Sequence, residues 1–387
     1  MPPIYLDNNA TTSLDPRVAS VVNELMNERL ANPASQHAFG RTARRILESA
    51  REEILELAGA RTQGMASDQL LFTSGGTESN NLAIFGLAQQ RPGTIVVSSI
   101  EHPSVLAAAQ YLEQQGREVL YLPCDSSGVI QLAPLTERIQ HAPDSIALVS
   151  VMLANNETGV LQPIQQITHL CRHHAIPVHC DAVQAIGKIP LRFRDLDVDA
   201  MTITAHKLHG PVGVGALVLR HSAKIAPHHF GGFQQLGLRP GTESPILAAA
   251  FATSVAIAMA ELTETNARMT RMRQQLEQSL MADLPNASIL GIVSPRLPHT
   301  TSIAFPGIDR QALQLALDHA GIACSTGSAC ASGSSQPSHV LQAMGLPTEV
   351  IRGAVRFSLS RETTDEELES ARSIITQVVR RLAPRDS

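Results

Sequence analysis

Four short stretches of this 387-residue chain bring together residue types that can do chemistry. In Thr73-Ser74-Gly75-Gly76-Thr77-Glu78-Ser79-Asn80, two glycines allow close backbone approach where a strand ends and a helix begins near Thr77. Exposed N–H groups at a helix start attract phosphate, and neighbouring hydroxyls add donors. Taken alone, a plain glycine turn fits as well. In Val178-His179-Cys180-Asp181-Ala182-Val183-Gln184, an apolar strand delivers an aspartate at its carboxyl end, the edge where open α/β sheets bind ligands. A carboxylate buried there wants a cationic partner such as a protonated ring nitrogen, although as a lone feature an N-cap aspartate is the simpler reading. Lys207, in Thr204-Ala205-His206-Lys207-Leu208-His209-Gly210-Pro211, again sits just past a strand. Neighbouring cations there would lower its pKa and suit it to Schiff-base chemistry, where a single lysine is otherwise most often a surface one. Cys330 stands in Ser325-Thr326-Gly327-Ser328-Ala329-Cys330-Ala331-Ser332-Gly333-Ser334-Ser335, a run of small residues unlike a core strand or helix. That is the setting of a mobile loop carrying a nucleophile, or of an incidental exposed cysteine.

These stretches need a scaffold, and the hydrophobic rhythm supplies one. From Pro16 to Gly231, β-branched runs at 69–72, 94–97, 119–122, 146–151, 176–179, 200–204 and 215–219 alternate with helical periods such as 41–57, 79–90 and 103–115. Alternation of this kind predicts βαβ crossovers and a mostly parallel, buried sheet flanked by helices. After Ser244 the rhythm changes to two long helical stretches, 245–262 and 264–283, then to fewer strands and to helices near 310–320 and 365–382. The expectation is an α/β chain whose large domain spans 16–260, with a smaller α+β domain formed by 1–15 and 261–387.

In this order the glycine turn, the strand-end Asp181 and the strand-end Lys207 supply what pyridoxal 5′-phosphate (PLP) requires: a phosphate cradle, a partner for the ring nitrogen and an amine for the aldehyde. Further signatures accompany them: Tyr5-Leu6-Asp7-Asn8-Asn9-Ala10-Thr11-Thr12, Asn32-Pro33-Ala34-Ser35, Glu101-His102, Ala154-Asn155-Asn156-Glu157-Thr158-Gly159, Arg239-Pro240-Gly241-Thr242-Glu243 and Gly327-Ser328-Ala329-Cys330. With these in order, the chain resembles end to end the NifS/IscS-type cysteine desulfurases, class-V aminotransferase relatives with the aminotransferase-like PLP fold. The resemblance implies that Lys207 holds PLP and shuttles protons, that Asp181 keeps the ring nitrogen protonated, and that His102 stacks on the ring and serves as acid or base. It further implies that Gln184 donates to the ring phenolate oxygen, and that Thr77, Thr204 and His206 bind the phosphate with backbone access at Gly76. Thr242 would reach the phosphate site of the neighbouring subunit in a homodimer. Asn156 would lie beside ring and substrate, and Arg356 would clamp the substrate carboxylate. Cys330 would take sulfur from L-cysteine as a persulfide, release L-alanine and pass the sulfur to an acceptor or iron–sulfur scaffold protein. The chain departs from common family patterns at Phe233, Ser244 and Val212, which leave the chemistry intact and the acceptor open.

Composition narrows the rest. The net charge of −5 and the absence of a dense Lys/Arg run argue against nucleic acid. Five cysteines without a CxxC pair argue against a disulfide framework or structural zinc, and no metal ligands are expected. Cys324, after Gly-Ile-Ala, reads as a buried strand end. Residues 244–260 are uncharged but short for a membrane span, and the N-terminus lacks the pattern of a signal peptide, so the expected location is the cytoplasm. Two other readings stay open. One is a related PLP enzyme such as a selenocysteine lyase or an aminotransferase, which would not need Cys330. The other is a scaffold that has lost activity, against which the intact Lys207, Asp181, His102 and Cys330 argue.

Overall fold

The computed structural model describes residues 3–327 and 336–383. Its central sheet has seven strands in the order Gln69–Thr73, Gly215–Leu219, Ala200–Thr204, Val178–Asp181, Ile146–Met152, Thr94–Ser98 and Val119–Leu122. Thr94–Ser98 and Ile146–Met152 are buried at every position, which requires cover on both faces. The helix Gly76–Ala88 supplies it on one face with Leu82, Ile84, Phe85 and Leu87. Helices Ala38–Leu57 and Pro245–Ala260 pack on each other and add Leu47, Ile54, Phe251 and Val255 to the larger apolar cluster.

All neighbouring pairs are parallel except the two made by Gly215–Leu219, which runs antiparallel to both of its neighbours. The reason is the short connection from Thr204 to Gly215. It turns through His209 at φ 58° and Gly213 at φ 92°, and has no room for a crossover helix. That same connection carries Lys207. The strand expected at 176–179 lies instead at Val178–Asp181. Pro177 has no N–H for the ladder, whereas Asp181 still pairs with Met152 and Thr202.

A second apolar cluster draws on Ile4 and Leu6 from the N-terminus and on Met272, Leu276, Ile303, Phe357, Leu368 and Ile375 from the C-terminal third. It covers the antiparallel sheet of Ala354–Ser358, Thr300–Ala304 and Ser288–Ile289. The strand Ile4–Tyr5 pairs in parallel with Ile322–Ala323, so the N-terminal segment is pinned across to the C-terminal third. The last helix, Asp365–Leu382, starts in a capping box between Thr364 and Glu367. Pro245–Ala260 and Leu262–Asp283 meet at a bend of 69°, and among the described residues no single helix is long and apolar enough to cross a membrane.

Candidate active site

The parallel strands bring their carboxyl ends to one edge, and the N-terminal segment Asp7–Thr12 lies over it. Asp181 closes its strand with one carboxylate oxygen accepting from Asn80 Nδ2 at 2.7 Å and the other from the Val183 N–H at 3.0 Å. Asn80 sits one turn into the helix that starts at Gly76, so the glycine turn and the aspartate are tied directly. Gly215 explains how close that turn lies to the sheet. A Cβ there would meet the carbonyl carbon of Gly75 at 2.7 Å.

Lys207 points its Nζ at the carbonyl oxygens of Asn9 and Ala10, at 2.5 and 2.6 Å. Gln184 donates to the same Asn9 carbonyl at 3.1 Å, while its Oε1 is buried without a partner. His102 caps the helix Pro103–Gln114 by accepting from the Ser104 N–H at 3.2 Å through Nδ1. A neutral ring bonded this way carries its proton on Nε2. Burial lowers the His102 pKa, Asp181 opposes that shift, and Lys207 adds to it. His206 is pulled down to about 4 by burial and then by Lys207, so it is neutral at pH 7. Its Nδ1 lies 3.2 Å from Thr11 Oγ1. Thr77 is exposed at the helix start, whereas the Thr204 hydroxyl is committed to Val214 O at 3.1 Å.

Arg356 is buried, donating to Asn156 O at 2.8 Å and to Asp7 Oδ1 at 2.6 Å, with Nε left unpartnered. Thr242 is exposed, in a segment held beside the glycine turn by Arg239–Glu78 at 2.7 Å and Arg51–Glu243 at 3.1 Å. Cys330 lies outside the described residues. Of the residues near it in sequence, Gly327 and Ser338 both meet Glu157. A Cβ on Gly327 would lie 2.5 Å from Glu157 Oε2, and Ser338 Oγ donates to the same oxygen at 2.5 Å. Cys324 is buried, and burial pushes its thiol up to about 12.

The site also uses residues of the quoted signatures to which the sequence assigns no role. Asn9 links Asn156 O, Thr300 Oγ1, Lys207 and Gln184. It stands in the Tyr5–Thr12 signature, but no role is expected of it there. Glu101 accepts from Ser98 Oγ at 2.5 Å and from the Met152 N–H at 2.9 Å, and burial raises its pKa to about 8. It is therefore a neutral acid at pH 7. The donor set fits PLP. A buried carboxylate and an amine resting on carbonyl oxygens are what a heteroaromatic aldehyde with a protonated ring nitrogen would engage. The Gln184 amide group beside them donates to Asn9 O here and not toward a ring oxygen.

The sequence matches the family described as aminotransferase class-V over residues 4–370. It is 39% identical to a cysteine desulfurase of Nostoc sp., over 98% of this chain and 93% of that protein. The crystal structure of a NifS-like protein from Rickettsia africae superposes with a TM-score of 0.88 at 33% identity, covering 97% of this chain and 99% of that one. A structure of SspA in complex with cysteine aligns with a TM-score of 0.79 at 31% identity, over 93% and 99% of the two chains. Near-complete coverage by sequence and by fold leaves one conclusion: the chain belongs to the class-V aminotransferase family, among the cysteine desulfurases of NifS/IscS type.

Proposed function

We propose that this chain is a PLP-dependent sulfurtransferase that moves sulfur from L-cysteine to Cys330 and releases L-alanine. What supports the reading most is the meeting of Lys207, Asp181 and Gln184 under the Asn9–Ala10 carbonyls at the carboxyl edge of the sheet. When bound, PLP withdraws electrons from the substrate carbons. Lys207, Asp181, His102 and Gln184 would hold its ring, and Gly76, Thr77 and His206 its phosphate, with Thr204 joining them once its hydroxyl turns from Val214 O. Lys207 would take the proton from the substrate Cα, since its amine is held within the site by two carbonyl oxygens. Asp181 would hold a proton at the ring nitrogen, and its own hydrogen bonds to Asn80 and the Val183 N–H fix the carboxylate in place. Arg356 and Asn156 orient the substrate carboxylate, the Arg356 fork already being set by Asp7. The Cys330 thiolate then attacks the substrate sulfur. The carbon–sulfur bond breaks, its electron pair stays with carbon and takes a proton to give alanine, and Cys330 keeps a persulfide.

The same reading assigns residues 16–260 and the pair 1–15 with 261–387 to two domains, and makes the enzyme a homodimer in which Thr242 serves the partner's phosphate site. An acceptor or iron–sulfur scaffold protein would discharge the persulfide. The test is Cys330→Ser. The variant should bind PLP with normal colour and still bind L-cysteine, while alanine release with a thiol reductant falls by a hundredfold or more. Wild type should carry one extra sulfur on the Cys330 peptide by mass spectrometry. A serine variant that releases alanine at the wild-type rate would instead favour a related PLP lyase that does not need Cys330.

A further inference from the structure

Cys330 is joined to the rest of the protein through two described stretches, 325–327 before it and 336–339 after it. The first is fixed by a backbone bridge to the strand Ala354–Ser358. Ser325 donates its N–H to Arg356 O at 3.1 Å, and the Arg356 N–H returns to Ser325 O at 2.6 Å. The Gly327 N–H then bonds Ser325 Oγ at 3.2 Å. The second stretch is held at three points. Arg310 donates to Gln336 O at 2.5 Å, Ser338 Oγ to Glu157 Oε2 at 2.5 Å, and His339 Nε2 to Glu101 O at 2.9 Å. Ser338 Oγ also caps the helix His339–Ala343 by accepting from the Leu341 N–H at 3.2 Å.

One atom serves both stretches. Gly327 stands at φ 90° and so close to Glu157 that a Cβ would lie 2.5 Å from Oε2, the oxygen that takes the Ser338 hydroxyl. Glu157 is 3% exposed and Ser338 is fully buried. A carboxylate at such depth is kept only with hydrogen bonds and opposite charge. Here these are the Ser338 hydroxyl and the nearby His339, Arg356 and Arg310. The backbone of Glu157 is set by Asn155, whose Oδ1 accepts from the Glu157 N–H at 2.9 Å. Asn155 Nδ2 in turn donates to Ile100 O at 3.0 Å, just before His102. Asn156 O, on the same turn, takes the Arg356 guanidinium at 2.8 Å. The turn that presents Glu157 is therefore built onto Arg356 and the His102 segment.

We infer that Glu157 is a positioning residue: with Ser338 it joins the two ends of the segment carrying Cys330, and so keeps the thiol within reach of a substrate held at Arg356 and Lys207. This rests on the sulfur transfer proposed above. A segment whose two ends are held together explores less space than one with a loose end, and keeping a nucleophile near its target raises its rate. Losing the Ser338–Glu157 bond should slow the transfer about tenfold, the size of one hydrogen bond to a charged group. The groups that would bind PLP and L-cysteine stay untouched.

The test uses PLP-loaded Ser338→Ala and Ser338→Gly. In both, the PLP absorbance and the spectral change on adding L-cysteine should match wild type, with KM unchanged. First-turnover alanine release should fall about tenfold, and the Cys330 persulfide should appear correspondingly later by mass spectrometry. Glycine caps a helix nearly as well as serine, and alanine does not. A loss confined to Ser338→Ala would therefore trace to the cap of His339–Ala343 and overturn the inference. So would wild-type rates in both variants, or a fall in L-cysteine affinity as large as the fall in rate. Adding Ser338→Ala to Glu157→Ala should slow transfer no further than Glu157→Ala alone, because the two side chains make one contact. Additive losses would overturn it. Hydrogen exchange reads the same contact without turnover. Amides of 325–327 should exchange several-fold faster in Ser338→Ala, although that substitution lies on the far side of Cys330 in sequence. Unchanged exchange there would overturn the joining of the two ends. Faster exchange in the variant, in a protein whose wild type forms no Cys330 persulfide, would count against the proposed reaction and not against the Glu157–Ser338 contact.

Discussion

Asp181 and Lys207 show how much of this site is decided by single groups. The Asp181 carboxylate is 7% exposed and has both oxygens fixed, by Asn80 and by a backbone N–H. Asp181→Asn keeps the acceptor for Val183 but cannot stabilise a protonated ring nitrogen. It should retain some PLP and lose turnover, with a barrier increase of at least roughly 1.5–3 kcal/mol, the cost of one charge-assisted hydrogen bond. Steady-state alanine production checks this, and wild-type turnover in the variant would remove the proposed role. Lys207→Ala should leave the cofactor without a covalent anchor. Borohydride reduction of wild type followed by peptide mapping should label Lys207, and label on Lys188 or another lysine would move the assignment.

At the level of elements, the antiparallel strand Gly215–Leu219 presses the glycine turn into place. A methyl group at Gly215 would meet Gly75 backbone atoms at 2.7 and 2.8 Å and Ile203 O at 3.0 Å, so backbone must move. Gly215→Ala should cost about 1–3 kcal/mol of stability, as overpacking does, and should weaken PLP binding by displacing the turn. Urea unfolding and PLP titration measure the two effects. Unchanged PLP affinity in a destabilised variant would mean that the turn does not need this contact. The sequence could not reveal this contact. Strands and helices were legible because burial on both faces leaves continuous β-branched runs, and because Asp181 and Lys207 stand just where those runs end. Strand direction was not legible, since Gly215–Leu219 reads like its parallel neighbours and only the short Lys207 connection distinguishes it. The reach of Asn9 to Gln184 and Lys207 was also hidden, because it depends on pairing between Ile4–Tyr5 and Ile322–Ala323, at opposite ends of the chain.

Across the whole molecule, buried titratable groups set how stability depends on pH. His179 lies in the sheet between Ser150 Oγ at 2.8 Å and Thr202 Oγ1 at 2.9 Å. Burial pulls it down to about 4, and the same cause holds His206 and His209 at about 4. In the unfolded chain each would titrate near 6.5. Between pH 6.5 and 4 the unfolded chain therefore binds more protons than the folded one, and stability is lost as pH falls through this window. Glu101 acts with the opposite sign. Its folded pKa of about 8 lies above that of an unfolded glutamate, so its contribution is present at low pH and is lost as pH rises toward 8. Asp15 and Glu78, held near 2 by their arginine partners, add a loss of the same sign that begins near pH 5. The melting temperature should accordingly fall on acidification from pH 6.5 to 4.5, because the histidines outnumber the glutamates there. Among the described residues, burial also lowers His102, His228 and His299, and raises only Glu157 and Glu243 beside Glu101. His179→Gln can accept from Ser150 and donate to Thr202, and it removes one titrating group. It should flatten the stability slope by about 1.4 kcal/mol per pH unit, the value of one proton. Urea unfolding of both proteins at several pH values in this range provides the comparison. Parallel slopes for wild type and variant would show that His179 is not held neutral by the fold.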